Sequence, residues 1–206
     1  MKLYLNNTSP FARWVLVCGL EYVIPTLELV WVDPWATPAN LTRVNPFSTV
    51  PVLQLDQGEA LYESSSIVRY LIPTAAPSLR ELQRLALGKM LLETAFRHVS
   101  LKRNSLIDGP PHPLIEQTYQ GLTRVLQGLS TENLPSFAPT EIPDIASLQL
   151  SVGLDYIAFR CPDLLTACAD RSLQERLLMY QSRPSFALTT SLALTAQPAE
   201  LSLTPF

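Results

Sequence analysis

Three short stretches hold the side chains whose types and spacing can do chemistry. In "NNTSPFARWV", Ser9 stands directly before Pro10. Serine at an N-cap, followed by proline at the first helical position, starts a helix. A hydroxyl there lies among unpaired N–H groups at the positive end of the helix, a place that favours an anion. Thr8 offers a second hydroxyl one place earlier. In "ESSSIVRYL", Glu63 and Ser64 open a second apolar helix and pair a carboxylate with a hydroxyl at its start. In "NPFSTVPVL", Val50-Pro51 stands where a strand begins. Each stretch also has a plainer reading. Ser9 and Ser64 are ordinary caps on that view, and Val50-Pro51 merely opens an edge strand.

The elements that must position these residues follow from the pattern. "KLYL" (Lys2 to Leu5) is a short apolar strand, and Phe11, Val15, Cys18 and Tyr22 then recur at helical spacing. "PTLELVWV" (Pro25 to Val32) reads as a second strand, and Asp33 to Val44 as a loop and short helix. "VPVLQL", the turn "DQGE" and "ALY" form a hairpin. Ser64 to Ile72 is a helix stopped by Pro73. The order β-α-β-α-β-β-α is that of a thioredoxin-like domain. After the linker "PTAAPS" the strand signals fade. Helical runs are expected over Leu79–Leu106, Leu114–Leu129, Asp144–Phe159, Leu173–Gln181 and Ser185–Ala193. The expected division is an α+β domain over residues 1–74 and an all-α bundle over residues 79–206.

Composition narrows the function classes. Apolar residues make up 47% of the 206 residues and charged ones 16%, enough for a packed core. A net charge of −3 without a basic block disfavours nucleic acid. No apolar run of membrane-spanning length occurs, and "MKLYLNN" does not read as a signal peptide. Cys18, Cys161 and Cys168 form no C-x-x-C pair, which suits a reducing cytoplasm. His98 and His112 lack metal-ligand spacing, so no metal is expected. Neither a phosphate-binding glycine loop nor a G-x-S-x-G turn is present.

Taken together, the motifs resemble the cytosolic glutathione transferase family, in its bacterial-type serine/cysteine branch. "TSPFARWV" is similar to that family's active-site turn, "NPFSTVPVL" to its N-P-x-x-x-V-P-x-L segment, and "ESSSIVRYL" to its E-S-x-A-I-x-x-Y-L segment. "RPSF" (Arg183 to Phe186) resembles a motif near its C-terminus.

The resemblance implies glutathione as co-substrate, a cis bond at Val50-Pro51, and a Val50 backbone open to an extended peptide. It implies that Ser64 and the helix start hold the γ-glutamyl carboxylate, while Glu63 meets the ammonium group. It implies that Ser9, with Thr8 in reserve, donates to the glutathione thiolate and lowers a thiol pKa of about 8.5. Tyr4 is assigned to packing. Thr49 and Trp35 stand where relatives often have cations, leaving Arg43 as the candidate for the glycyl carboxylate. Arg13 is assigned equally to a structural ion pair. A pocket for a small hydrophobic electrophile is implied at Phe11, Phe96, Arg97, Leu101 and Asn104. Asp144, in "EIPDIASL", is expected to cap a buried helix, with Glu141 where the family has Ser or Thr. The implied activity is detoxifying thiol transfer to an electrophile or peroxide, in a cytoplasmic homodimer with helices starting at Ser64 and Leu79 at its interface. A non-catalytic binding or regulatory protein and a glutathione-dependent isomerase are the alternatives.

Overall fold

The computed structural model describes every residue except 25–26, 106–109, 111, 130–133, 139 and 202–206. The chain forms two compact units, one of Met1–Ala76 with Arg183–Phe206, the other of Pro77–Ser182.

The first unit is built on four strands: β1 (Lys2–Leu5), β2 (Glu28–Trp31), β3 (Val52–Gln54) and β4 (Ala60–Tyr62), in the spatial order β2-β1-β3-β4. β1 runs parallel to β2 and antiparallel to β3, and β3 is antiparallel to β4. Its helices are α1 (Pro10–Glu21), α2 (Ala39–Val44) and α3 (Ser64–Leu71), with a 3-10 turn at Pro34–Ala36. The alternation of β1 explains the layering. Leu3 and Leu5 are fully buried on one face, with Leu53 beside Leu3 in register. Tyr4 points the other way and packs with Val52 and with Leu41 of α2. α3 lies against β3, β4 and α1. This is the thioredoxin-like arrangement expected from the order of elements. The strands are shorter than the apolar runs that announced them, because pairing in β2 and β3 covers only Glu28–Trp31 and Val52–Gln54.

The second unit is helical: α4 (Leu79–Arg103), α5 (Pro113–Gly128), α6 (Ile145–Arg160), α7 (Pro162–Cys168) and α8 (Arg171–Gln181). Ser78 and Glu81 form a complete capping box at the start of α4. α6 is buried from Ala146 to Ile157 without interruption, so it is the central helix. It packs most extensively on α4. The approach is close at Gly88, where a Cβ would lie 3.0 Å from the backbone nitrogen of Leu150. Asp144 caps α6 by accepting from the Ser147 amide at 2.8 Å and the Ser147 hydroxyl at 2.6 Å. Arg84 of α4 adds donors to Asp144 at 3.2 Å and to Ser147 at 2.7 Å. The cap thus uses Asp144 with Ser147 downstream of it. Glu141 instead accepts from the amide of Ala138 at 3.1 Å.

Two features depart from the sequence reading. The helix α7 was not expected, and the expected run Ser185–Ala193 is a short α9 (Pro184–Leu188) followed by a 3-10 turn at Ala193–Ala196. Second, residues from Arg183 onward cluster with the first unit, where the sequence division assigned all of 79–206 to the bundle. The reason is polar. Arg183 forms a buried fork with Glu21 of α1, and the Ser185 hydroxyl donates to the same carboxylate. Arg13 donates to Thr189 and to the carbonyl of Phe186, both at 3.3 Å. The Leu29 amide donates to the carbonyl of Ala199 at 2.8 Å, and the Trp31 indole to that of Pro198 at 2.9 Å. The outer edge of β2 is thereby covered. Among the described residues, no helix is long and apolar enough to cross a membrane.

Candidate functional site

The sheet register gathers the three motif stretches at one end of the first unit. Tyr4 pairs with Val52, and Val52 with Tyr62. Pairing stops there: Val50 comes two residues before Val52, Asn6 two after Tyr4 and Ser64 two after Tyr62. The Thr8–Ser9 turn leaves β1 at this end, and α3 starts here from β4. The starts of α1 and α3 therefore flank the segment that enters β3.

Ser9 is the N-cap of α1, with Pro10 at the first helical position. Its Oγ accepts from the Ala12 amide at 3.2 Å. That bond uses a lone pair and leaves the hydroxyl proton to donate elsewhere. Among the described residues, neither this proton nor the Thr8 hydroxyl has a partner. Both residues are half-buried. Tyr4 is in the core, and its hydroxyl donates to Gln54 at 3.1 Å. Cys18 is buried in α1, and burial pushes the Cys161 thiol up.

The Val50-Pro51 bond is cis. Pro51 is buried and Val50 half-buried. Among the described residues, the Val50 N–H and C=O have no hydrogen-bond partner, so this backbone edge is open to an added strand. Asn45 holds the loop that presents it. Fully buried, Asn45 donates to the Thr49 carbonyl at 2.9 Å and to Thr49 Oγ1 at 3.0 Å, and accepts from the Phe47 amide at 3.1 Å. Ser48 takes a positive φ of 50° inside this loop. The sequence reading gave Asn45 no role. Its signal was Asn-Pro at a turn, where an asparagine side chain bonds to nearby backbone.

Glu63, not Ser64, is the N-cap of α3. Its φ of 79° is unusual for a residue with a side chain. The carboxylate accepts from the Ser66 amide at 3.3 Å and from the Ser65 hydroxyl at 3.1 Å. The Ser64 hydroxyl reaches it at 3.4 Å. Ser64 is buried and occupies the first helical position. Among the described residues, the amides of Ser64 and Ser65 are unpaired, so the start of α3 keeps two donors.

The remaining candidates are placed less tightly. Arg43 is exposed in the last turn of α2, without an ion pair among the described residues. Phe11 is half-buried in the first turn of α1. In the second unit, Phe96 and Leu101 are half-buried and Arg97 and Asn104 exposed on or at the end of α4, with the Asn104 amide on the Ser100 carbonyl at 2.8 Å. Trp35 is exposed in the 3-10 turn, its amide capped by Asp33 at 3.0 Å. A polar recess of about 270 Å³ is lined by Asn6, Asn7, Trp31, Asp33 and Gln197 at the same carboxyl end of β1 and β2.

Residues 8–72 match the family model for the glutathione S-transferase N-terminal domain. The match spans about a third of the chain. The matched stretch begins at Thr8 and takes in Ser9, Val50-Pro51 and Glu63-Ser64. The chain is also 27% identical, over 92% of its length and 98% of the relative's, to the uncharacterized GST-like protein YibF of Escherichia coli K12. Among solved structures, it is similar to a glutathione transferase family member from Pseudomonas fluorescens Pf-5 with bound glutathione. That likeness has a TM-score of 0.75 at 23% identity, over 92% of this chain and 98% of the other. A glutathione S-transferase from Methylobacillus flagellatus KT with glutathione bound gives a TM-score of 0.72 at 25% identity, with the same coverages. The glutathione transferase fold thus extends beyond the N-terminal domain into the helical part.

Proposed function

We propose that the chain is a glutathione transferase that binds glutathione at this end of the sheet and activates its thiol for attack on a small hydrophobic electrophile or a peroxide. The observation that carries this reading is the convergence, set by register, of the open Val50 edge with the starts of α1 and α3. The cysteinyl unit pairs with Val50 by strand addition, as an extended peptide does at any free edge. The γ-glutamyl carboxylate takes the Ser64 and Ser65 amides and the Ser64 hydroxyl, where the helix end favours an anion. The Glu63 carboxylate meets the ammonium group on the same carbon. Thr49 and Arg43 lie toward the glycyl end.

The thiol then rests at the start of α1. The Ser9 proton, left free by the Ala12 bond, donates to the thiolate and stabilises it, with Thr8 in reserve. The thiolate is the nucleophile. Serine forms no mixed disulfide, so the chemistry is addition, displacement, peroxide reduction or thiol-assisted isomerisation. Phe11, in the first turn of α1, is the proposed electrophile contact within this unit. Two similar structures that hold glutathione support the reading. The proposed setting is a cytoplasmic homodimer.

A non-catalytic binding role is the second reading. It is favoured by the engagement of Glu63 with its own helix and by the single cation, Arg43, proposed for the glycyl end. Calorimetry and thermal melting with glutathione test the site. A rise in melting temperature at millimolar glutathione is expected by mass action. Absence of both binding and melting shift overturns the proposal. Binding without turnover across an electrophile and peroxide panel selects the second reading.

A further inference from the structure

We infer that Arg13 and Thr189 are positioning residues for the proposed thiol chemistry: their tie holds the first turn of α1, and with it the Ser9 hydroxyl, in place beside the Val50 edge. The inference rests on the glutathione reading above. Arg13 acts on that turn twice. Its amide donates to the Ser9 carbonyl at 3.0 Å and so closes the turn that Ser9 caps. Its guanidinium leaves the helix for the returning chain, donating to Thr189 Oγ1 and to the Phe186 carbonyl, both at 3.3 Å. It also stands over the Phe186 ring, 5.6 Å from the centroid. Phe186 and Thr189 are fully buried. The Thr189 hydroxyl donates to the Ser185 carbonyl at 2.7 Å, which leaves its oxygen lone pairs to accept from Arg13.

The need for such a tie follows from the rest of α1. Ala12, Val15, Leu16, Val17 and Leu20 hold the helix by apolar burial. Burial is non-directional, so it sets the depth of the helix but resists sliding and rotation weakly. A hydrogen bond from Ser9 to a thiolate is directional and weakens steeply off its axis. The polar ties fix what burial leaves loose. Glu21 anchors the last turn to Arg183 and Ser185, and Arg13 anchors the first to Phe186 and Thr189. The two anchors lie eight residues apart, about 12 Å along the axis. Farther on, the same returning chain is pinned to β2 through Pro198 and Ala199. β2 pairs with β1, and β1 leads into the Thr8–Ser9 turn. The circuit of β1, turn, α1, returning chain and β2 is therefore closed, and the Arg13–Thr189 tie is its link nearest Ser9.

The test compares the full chain with Arg13→Gln, Thr189→Val and Thr189→Ser. Valine keeps the shape of threonine and removes the accepting oxygen, whereas serine keeps the oxygen. For each protein the thiol of bound glutathione is titrated by ultraviolet absorbance, and kcat and KM are measured with the best electrophile of the panel, below the melting temperature. Arg13→Gln and Thr189→Val should raise the bound thiol pKa toward that of free glutathione and lower kcat about tenfold, as a small misplacement of a reacting group does. KM for glutathione should stay close to its value in the unaltered chain, because the Val50 edge and the start of α3 are untouched. Thr189→Ser should keep both the thiol pKa and kcat. Melting temperatures that fall in Arg13→Gln and Thr189→Val while thiol pKa and kcat hold overturn the inference, since the tie then serves stability alone. A loss in Thr189→Ser equal to that in Thr189→Val overturns it as well. A bound thiol that is not lowered in the unaltered chain overturns the glutathione reading, and this inference with it; a lowered thiol that every variant keeps overturns this inference alone.

Discussion

Arg183 grips Glu21 across 162 residues of sequence, Nε on Oε1 at 2.8 Å and a terminal nitrogen on Oε2 at 2.6 Å. Both side chains are almost fully buried. Removing one partner leaves a charge in the interior, which costs about 3–5 kcal/mol. Replacing both by apolar groups of similar size is close to neutral. Glu21→Leu and Arg183→Met should therefore each lower stability strongly, and the double variant should recover most of the loss. Denaturant unfolding of all four proteins checks it. Additive losses would mean that the pair does not act as a unit.

Ser9 has two separable jobs, capping α1 and donating to the proposed thiolate. A hydrogen bond to a charged group is worth about 1.5–3 kcal/mol, so its loss should raise the bound thiol pKa by roughly one to two units. Ser9→Ala should cut conjugation near neutral pH by about 10- to 100-fold and also cost about 1 kcal/mol of cap. Ser9→Gly keeps most of the cap and should lose the same activity with a smaller loss of stability. Glutathione affinity should change little in either. Thiol titration by ultraviolet absorbance, with Thr8→Ala alongside, decides which hydroxyl acts. Unchanged turnover in both Ser9 variants, with loss in Thr8→Ala, assigns the role to Thr8.

His98 is buried between α4 and α5, its Nδ1 3.0 Å from Thr118 Oγ1. The Thr118 hydroxyl also lies 2.7 Å from the Leu114 carbonyl oxygen and 2.9 Å from that of Ile115. Burial, with Lys102 one turn along, lowers the His98 pKa below its ordinary 6.5. A base with a depressed folded pKa binds fewer protons folded than unfolded, so stability rises with pH in that window. The contribution is complete above pH 6.5 and is lost as pH falls from there through the folded pKa. Melting temperatures of the unaltered chain should fall more steeply below pH 6.5 than those of His98→Gln. Parallel curves would remove His98 from the account.

Each unit leaves large apolar side chains in solvent: Tyr70 of α3 at 50% exposure, and Leu79 and Met90 of α4 at 73% and 60%. Large apolar side chains left in solvent can mark association surfaces. Most closed homo-oligomers are two-fold dimers. Sedimentation at micromolar concentration should show a dimer, and Met90→Glu should shift it toward monomer. A monomer at all concentrations sinks the expectation.

The sequence announced the sheet and the site loops because their signals are local. Ser9-Pro10 names a helix start, and "VPVLQL" with "DQGE" names a hairpin, from a few adjacent residues. The convergence of Val50 with Ser64 needs strand register, which no single motif states. Glu63 displaced Ser64 as cap because the positive φ at Glu63 folds its carboxylate back over the first turn. The short α7 escaped notice because only Leu164 of its seven residues is buried, leaving no apolar period to read. The partner of Arg183 was out of reach for a different reason. Ion pairs carry no sequence periodicity, and Glu21 lies far along the chain.

The cover over the edge of β2 also sets an order of assembly. Residues 77–182 form a unit of contiguous chain, complete as soon as that stretch is made. The sheet unit is discontinuous: its Glu21 waits for Arg183, and the Leu29 amide waits for Ala199. During synthesis the first-made strands therefore finish last, with a buried carboxylate unpaired and an edge open until residues 183–199 have left the ribosome. The helical unit, made in between, has its whole chain in hand while the sheet still lacks its last residues.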